Sequence, residues 1–525
     1  MSPDIAVIGA SLGGVLAAWR AAQAGRHVLL VAQHAWLGGQ MTAQAVPPDE
    51  HALVELGGAS RSYLAFRNDI RAHHRQQPGF LDRSTFTEGT NPGDGWVSRL
   101  CFEPVLAARW LERLLAPQRS AGRLRVLRLA APVAARRDGA RIHSVMLRGH
   151  DGRIHTVQAK IFIDATDTGE LLRLTHLPYR VGKEAASEFN EPDAPATADP
   201  LDQQPCTHVL ALRRCRQPGP VAAAPPAYAA WRAHRLPHFN HLLFSPHLPG
   251  RERGVSATLP FDADGAKLDW WRYRRVVSGT QWLDGRDDVT LVNWAQNDYA
   301  LHPLLDGPLP QPQVEAAARE LSRCLLHWLQ TEAPRSGVDA HDGHGFREWQ
   351  PATDMLGTPD GLAQQTYVRE SRRIVAHTTL TQRDLLLPPG SPDQRVDAVG
   401  IGAYNLDIHP TCISGHGVNA SVHPFVLPLG AFIPLHADNL LPACKNLGVT
   451  HLASACTRVH PVEWLVGEVA GLMAALLVDQ GLSARALPDS PAQRRALQRS
   501  LHTAGIPTAW PADLLAGSVA HHAAH

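Results

Sequence analysis

Along the first thirty residues, apolar positions come in two patterns. "DIAVI" (4–8) is an apolar run of the kind expected of a strand covered on both faces of a parallel sheet. A glycine-bearing turn follows, and "VLAAWRAAQAG" (15–25) is a run of good helix formers closed by Gly25 at a C′ position. "HVLLV" (27–31) is apolar again. Strand, tight turn, helix and strand in so short a stretch predict the βαβ unit of a doubly wound α/β fold.

The pattern then changes period. A polar segment rich in glycine and proline (76–96) leads into "EPVLAARWLERLLA" (103–116), which predicts an amphipathic helix. Three strand-like runs come next, "RLRVLRLAAPVAARR", "ARIHSVMLRG" and "RIHTVQAKIFIDAT", separated by Asp138-Gly139 and Asp151-Gly152. Asp-Gly between alternating segments is a strong hairpin signature, so a β-meander is expected over about 124–164, returning to the parallel sheet at "KIFIDAT". From 180 to about 360, Pro-rich loops such as "EPDAPATADP" alternate with Trp- and His-containing segments, without a repeat period. This stretch reads as an inserted α+β substrate domain. It divides a first domain into parts at 1–175 and 365–480, and 481–525 reads as a helical C-terminal tail.

Composition narrows the function classes. Fifty basic and forty-nine acidic side chains leave almost no net field, so neither nucleic acid nor an anionic membrane is an expected partner. "WWRYRR" (270–275) is read as a half-buried element with solvated arginines. Seven cysteines without C-x-x-C spacing fit a reducing compartment, and no basic segment followed by an apolar one opens the chain, so the cytoplasm is expected. "VGEVAGLMAALLV" (466–478) is short for a membrane span and carries Glu468. Among 29 histidines, His234, His238, His241 and His247 have suggestive spacing, but Pro237 interrupts any helix that would align them, and no metal site is expected. "HDGHG" (341–345) is read as a turn.

The glycine turn itself departs from G-x-G-x-x-G, since its three positions are Gly9, Ser11 and Gly14. Three further segments add to it: "WLGGQMTAQAVPPDEH" (36–51), "FIDATDTGELL" (162–172) and "NLLPACKNLGVTHLASACTRVHPVEWLVGEVAG" (439–471). Together they resemble bacterial FAD-dependent oxidoreductases of the glutathione-reductase-like superfamily, in a branch carrying a GGQ segment and a late HPVEW helix. "VRESRRI", "VGIGAYNLDIHP" and "LVNWAQNDY" resemble that branch as well. The resemblance implies a Rossmann-type FAD-binding domain. In it, Gly9 makes the tight bend, Ser11 and Leu12 lie at the pyrophosphate, and Gly14 lets the helix pack on the strand. The helix N-terminus favours the phosphate's charge. Ser11 stands where a second glycine is usual, and its hydroxyl is expected to donate to a phosphate oxygen. Where relatives place a ribose-binding acid, this chain has Ala32, with Gln33 or His34 as substitutes. Gly38, Gly39, Gln40, Met41 and Thr42 are implied along the ribityl chain and isoalloxazine. Ala165, Thr166 and Asp167 are implied at the turn after the meander, and Asn446 in the late segment. His460, Pro461 and Val462 open a helix aimed at the flavin pyrimidine, with Pro461 at its first position.

No second glycine fingerprint and no C-x-x-C are found, so the expected chemistry is oxidation of a small-molecule substrate by hydride transfer to flavin, without a nicotinamide domain. A flavin-free homologue acting as a binding or partner protein, and a flavin monooxygenase, remain as alternatives. A halogenase W-x-W-x-I-P segment is absent. The candidate catalytic groups are Tyr404, His409 and His416, crowded with Asp407 and Cys412 in a loop-rich stretch. The run Arg369–Arg373 is either a substrate-carboxylate site, with Arg373 as its arginine, or a salt-bridged helix face. The sequence carries no indication of substrate identity or oligomeric state.

Overall fold

In the computed structural model, residues 1–85, 89–249, 255–263, 268–335, 345–388, 391, 397–512 and 514–515 are described. The central element is a five-stranded parallel sheet. Strand β1 (Ile5–Ile8), helix α1 (Leu12–Gln23) and β2 (Val28–Ala32) form the βαβ unit, and every residue of both strands is buried. Helices α2 (Arg61–Arg75) and α3 (Pro104–Ser120) precede β3 (Leu124–Arg128), which pairs in parallel with β2. Strands β4 (Ala130–Asp138), β5 (Arg141–Gly149) and β6 (Ile154–Val157) form the meander, and β7 (Ile161–Asp164) returns to pair in parallel with β1. The fifth strand, Leu440–Pro442, pairs with β7 from the far end of the chain.

The run 123–137 is two strands where one was expected. Leu129 adopts a left-handed conformation, φ 54°, and breaks it so that β3 belongs to the parallel sheet and only β4 to the meander. A single period-2 pattern cannot register such a change of sheet, because both halves remain extended. Both Asp-Gly positions are turns, with Gly139 at φ 52° and Gly152 at φ 77°.

A second, antiparallel sheet gathers Leu210–Arg214, Arg275–Val277, Val289–Val292 and Trp349–Pro351, all from the Pro-rich stretch. Its core is aromatic: Trp270 stacks on Trp349 at 5.8 Å and Phe346 on Trp349 at 4.0 Å. The arginines of "WWRYRR" are not simply solvated. Trp270 and Trp271 are buried, Arg272 pairs with Asp94 at 2.6 Å, and Arg275 pairs with Asp94 and Asp288. The "HDGHG" turn falls on positions that are, except for Gly345, outside the described residues.

The helix His460–Gln480 begins one residue before the expected start, with His460 first and Pro461 second rather than first. Its 21 residues have the length and hydropathy of a membrane span, yet it lies inside the protein against α1. Glycines set that contact. A Cβ at Gly467 would stand 2.1 Å from the Gly13 carbonyl oxygen, and one at Gly471 would stand 2.4 Å from that of Ala17. The strand Ala398–Gly402 approaches the same helix at Gly400, where a Cβ would meet Leu465 at 2.2 Å. The two glycines of "VGIG" therefore serve packing.

Adding one methyl at this helix crossing forces two backbones apart. Gly467→Ala is expected to destabilise the protein by about 1–3 kcal/mol, read as a lower midpoint of urea unfolding.

Candidate functional site

The parallel strands end in a row of loops, and three of them meet α1. Gly9 is held at φ 103°, where a Cβ would lie 2.2 Å from the Ala165 carbonyl oxygen, so β1 and β7 close on each other only with glycine there. Gly14 likewise leaves no room, with the Gly9 carbonyl oxygen 2.3 Å from its would-be Cβ. Ser11 is the N-cap of α1, and its hydroxyl accepts the Gly14 N–H at 3.2 Å. The same hydroxyl also interacts with the Cys444 sulfur. The backbone N–H groups of Ala10, Ser11 and Leu12 have no partner among the described residues.

The next donor, Gly13 N–H, is taken by the protein itself. It donates to Glu463 Oε1 at 3.1 Å, and Glu463 Oε2 accepts from Gln40 at 2.6 Å. Lys445 stands 3.4 Å from the same carboxylate and 2.8 Å from Asp167, which also accepts from Gln365. All three ions are buried. Burial opposes the charge on Lys445, but Asp167 raises its pKa far above the ordinary value, and Lys445 in turn lowers that of Asp167.

A narrow cleft of about 30 Å³ runs past Gly9, Ala10, Ser11, Gly39 and Ala165 and shares Gln33, His34, Thr166, Asp167 and Gln365 with a wider cavity of about 850 Å³. Gln33 is exposed there and has no side-chain hydrogen bond among the described residues. Gln44 is fully buried beside this region, where its amide helps hold the Asp167 carboxylate in its charged form. Free backbone donors at a helix N-terminus and an exposed glutamine at the end of β2 fit a dinucleotide's phosphates and sugar.

The other expected cofactor residues divide. Gly39 lies directly on Ser11, while Gly38, at φ 107°, packs on Leu111 of α3. Gln40 is a strut to Glu463 and the Arg458 carbonyl, Met41 is core, and Thr42 closes its own turn onto Leu37. Thr166 bonds Asp164 and the Glu170 N–H. Asn446 ties the late loop to the Asp164 carbonyl at 3.0 Å. Its side chain is fully used within the protein. His460 Nδ1 accepts the Asp49 N–H at 3.0 Å, which, with burial pushing its pKa down to about 3, makes it a neutral ring. Val462 is core, and Pro461 is buried in the helix's first turn.

A third cavity, of about 230 Å³, lies between the two sheets' loops. His409 lines it with 22% of its side chain exposed, its Nδ1 2.6 Å from Asp298 and its Nε2 3.6 Å from Asp407. Asp298 is gripped by Arg369 at 2.9 Å and by the Thr207 hydroxyl. Burial alone would raise the Asp298 carboxyl; Arg369 and His409 hold it down to about 2. Burial and Arg369 push the His409 pKa down, and the carboxylates of Asp298 and Asp407 overcome both, leaving it raised. His416 lines the same cavity, its ring 4.7 Å from that of His238. Tyr404 packs against the main core, near Asp49 and Asp407, and burial drives its pKa far up.

The run 369–373 is salt-bridged but not helical; Arg373 starts a short strand. Both terminal nitrogens of Arg373 are occupied, by Glu370 and Glu184 at 2.7 Å each, and it lines none of these cavities, so it is no substrate anchor. Asp298, Glu463, Lys445, Gln44, Asp49 and Arg274 were not foreseen as site residues. "NDY" and "ACKN" carried the first and third in plain view, but nothing local to them says what they face.

A family model described as FAD dependent oxidoreductase matches residues 4–501. No functionally curated protein matches the chain in sequence. Among solved structures, a geranylgeranyl bacteriochlorophyll reductase-like protein from Thermoplasma acidophilum is 10% identical, with TM-score 0.35, over 97% of this chain and 85% of that one. The myxobacterial chondrochloren halogenase is 13% identical, with TM-score 0.31, covering 96% and 79%. Anhydrotetracycline hydroxylase from Streptomyces rimosus is 13% identical, with TM-score 0.34, covering 96% and 69%.

Two substitutions separate folding from binding. Lys445→Met strands two buried carboxylates and is expected to destabilise the protein by about 3–5 kcal/mol, seen as a lower melting temperature. Gln33→Ala is expected to leave melting unchanged and weaken FAD binding by about 1 kcal/mol, seen in fluorescence titration of the apoprotein.

Proposed function

The chain belongs to the FAD-dependent oxidoreductase family, with FAD as its cofactor, and from that premise we propose that it oxidises a small-molecule substrate held in the cavity at His409. The observation that carries this reading is the carboxylate–imidazole pair of Asp298 and His409, whose imidazole lies on the wall of a cavity lined by aromatic, polar and aliphatic groups. Bound FAD supplies the two-electron acceptor. Pyrophosphate would rest on the Ala10, Ser11 and Leu12 N–H groups, and adenosine near Gln33 and His34.

The remaining work is proton work. The Asp298 carboxylate accepts from His409 Nδ1, which fixes the tautomer and leaves the Nε2 lone pair for a substrate proton. Asp407, 3.6 Å from Nε2, stabilises the imidazolium that results. Arg369 and Thr207 keep Asp298 ionised and immobile, so the imidazole cannot swing away. The proposed division into FAD-binding parts at 1–175 and 365–480 and a substrate part at 180–360 is supported by the parallel sheet's strands lying in the first two ranges and the four-stranded antiparallel sheet's strands in the third.

The test is anaerobic bleaching of the flavin absorbance by a panel of small-molecule substrates. His409→Ala is expected to slow bleaching about 10²–10⁴-fold; an unchanged rate removes the base from the mechanism. Because His409 acts as a base only when neutral, and its pKa is raised above 6.5, the rate should increase with pH through a midpoint above that value. Asp298→Asn removes one of the raising charges and is expected to move the midpoint to lower pH.

A further inference from the structure

The cavity at His409 also holds an arginine without an ion pair among the described residues. Its neighbours Arg272 and Arg275 are paired with Asp94 and Asp288, whereas Arg274 forms no ion pair among the described residues. Two of its guanidinium nitrogens, Nε and Nη1, are buried without a hydrogen-bond partner. Tyr273 and Trp294 flank the group, with its central carbon 4.9 Å and 4.8 Å from their ring centres, so its position is set by packing.

The acids nearby do not supply the missing charge. Asp407 accepts from Arg458 at 3.4 Å and faces His409. Asp49 has no side-chain hydrogen bond among the described residues, and burial raises its pKa against the pull of Arg274 and Arg458, which weakens its charge. Tyr273 and Cys101 are further titratable groups that interact with Arg274, and burial raises both, keeping them protonated. Arg274 is half-buried, and its two buried guanidinium nitrogens lack acceptors, which a bound anion would supply.

We infer that the substrate is a small organic acid whose carboxylate docks on Arg274 and whose apolar or ring-shaped body lies among Tyr273, Trp294 and Phe239. The 230 Å³ volume suits a molecule of monocyclic size, and His409 on the same wall faces the bound acid's remaining polar end. The inference rests on assigning this cavity to the substrate. It replaces the run at 369–373 as the carboxylate site, because those arginines are already paired.

The test uses the FAD-loaded enzyme and benzoate as probe, with benzamide as its neutral isostere, by calorimetric titration and by perturbation of the flavin spectrum. Wild type should bind benzoate at least about tenfold more tightly than benzamide, the size of one charge-assisted hydrogen bond. Arg274→Gln should abolish that preference and Arg274→Lys retain part of it. The inference is overturned if wild type fails to bind benzoate, if it binds the two probes alike, or if Arg274→Gln keeps the preference. Arg274→Gln removes a half-buried charge that has no ion pair among the described residues, so its melting temperature should be no lower than that of wild type. A lower one would show Arg274 to be a structural group and overturn the inference as well. His409→Ala separates the two readings. Loss of bleaching with benzoate preference intact upholds both. Bleaching intact with the preference present leaves the anion site standing and the catalytic base fallen.

Discussion

One carboxylate holds the site's four chain segments together. Glu463, in the first turn of the buried helix, takes the Gly13 N–H of α1, the Gln40 amide, the Cys444 thiol at 3.4 Å and the Lys445 ammonium. Those groups lie up to 450 positions apart in sequence, and none could hold its place alone. The carboxylate survives burial because each oxygen has hydrogen-bond donors and a cation is at hand. The glycine contacts of the same helix with α1 bring Glu463 within reach, so close backbone packing and the polar hub depend on each other.

The two polar centres are built on opposite principles. Around Lys445, Asp167 and Glu463, charges are matched and fixed, which suits a region that must present backbone N–H groups in constant geometry. Around His409 they are unevenly matched: Asp298 and Asp407 are satisfied, while Arg274 retains two bare nitrogens. A structural network gains nothing from an unpaired cation, whereas a binding site does. The aromatic core of the inserted region serves the second centre, since the segment carrying Trp270 and Trp271 also places Tyr273 and Arg274 at the cavity wall.

Much of this was legible in the residues. Apolar runs and a glycine turn located β1, α1 and β2 correctly, since a parallel strand buried on both faces needs uninterrupted apolar side chains. His409 was identified from its crowding with polar neighbours. The same reasoning failed for Arg373 and for "WWRYRR", where local pattern placed arginines in a ligand site or in solvent. Their partners Glu184 and Asp94 lie far away in sequence, and although Glu370 is only three residues from Arg373, the fold decides which arginine is paired. Ser11 proved to be a helix cap, a role its one-letter context allowed without requiring.

The sequence by itself determined the fold class, the glycine turn and the cofactor, because these depend on local periodicity and on short segments whose backbone must approach phosphate closely. Tertiary structure alone decided which buried charges are spent and which are free. Electrostatic pairing is a matter of distance in space: Asp298 meets His409 across 111 positions, and Glu463 meets Gly13 across 450. No period or motif encodes that distance; packing of the buried helix against α1, and of the inserted region against the 404–416 loop, sets it.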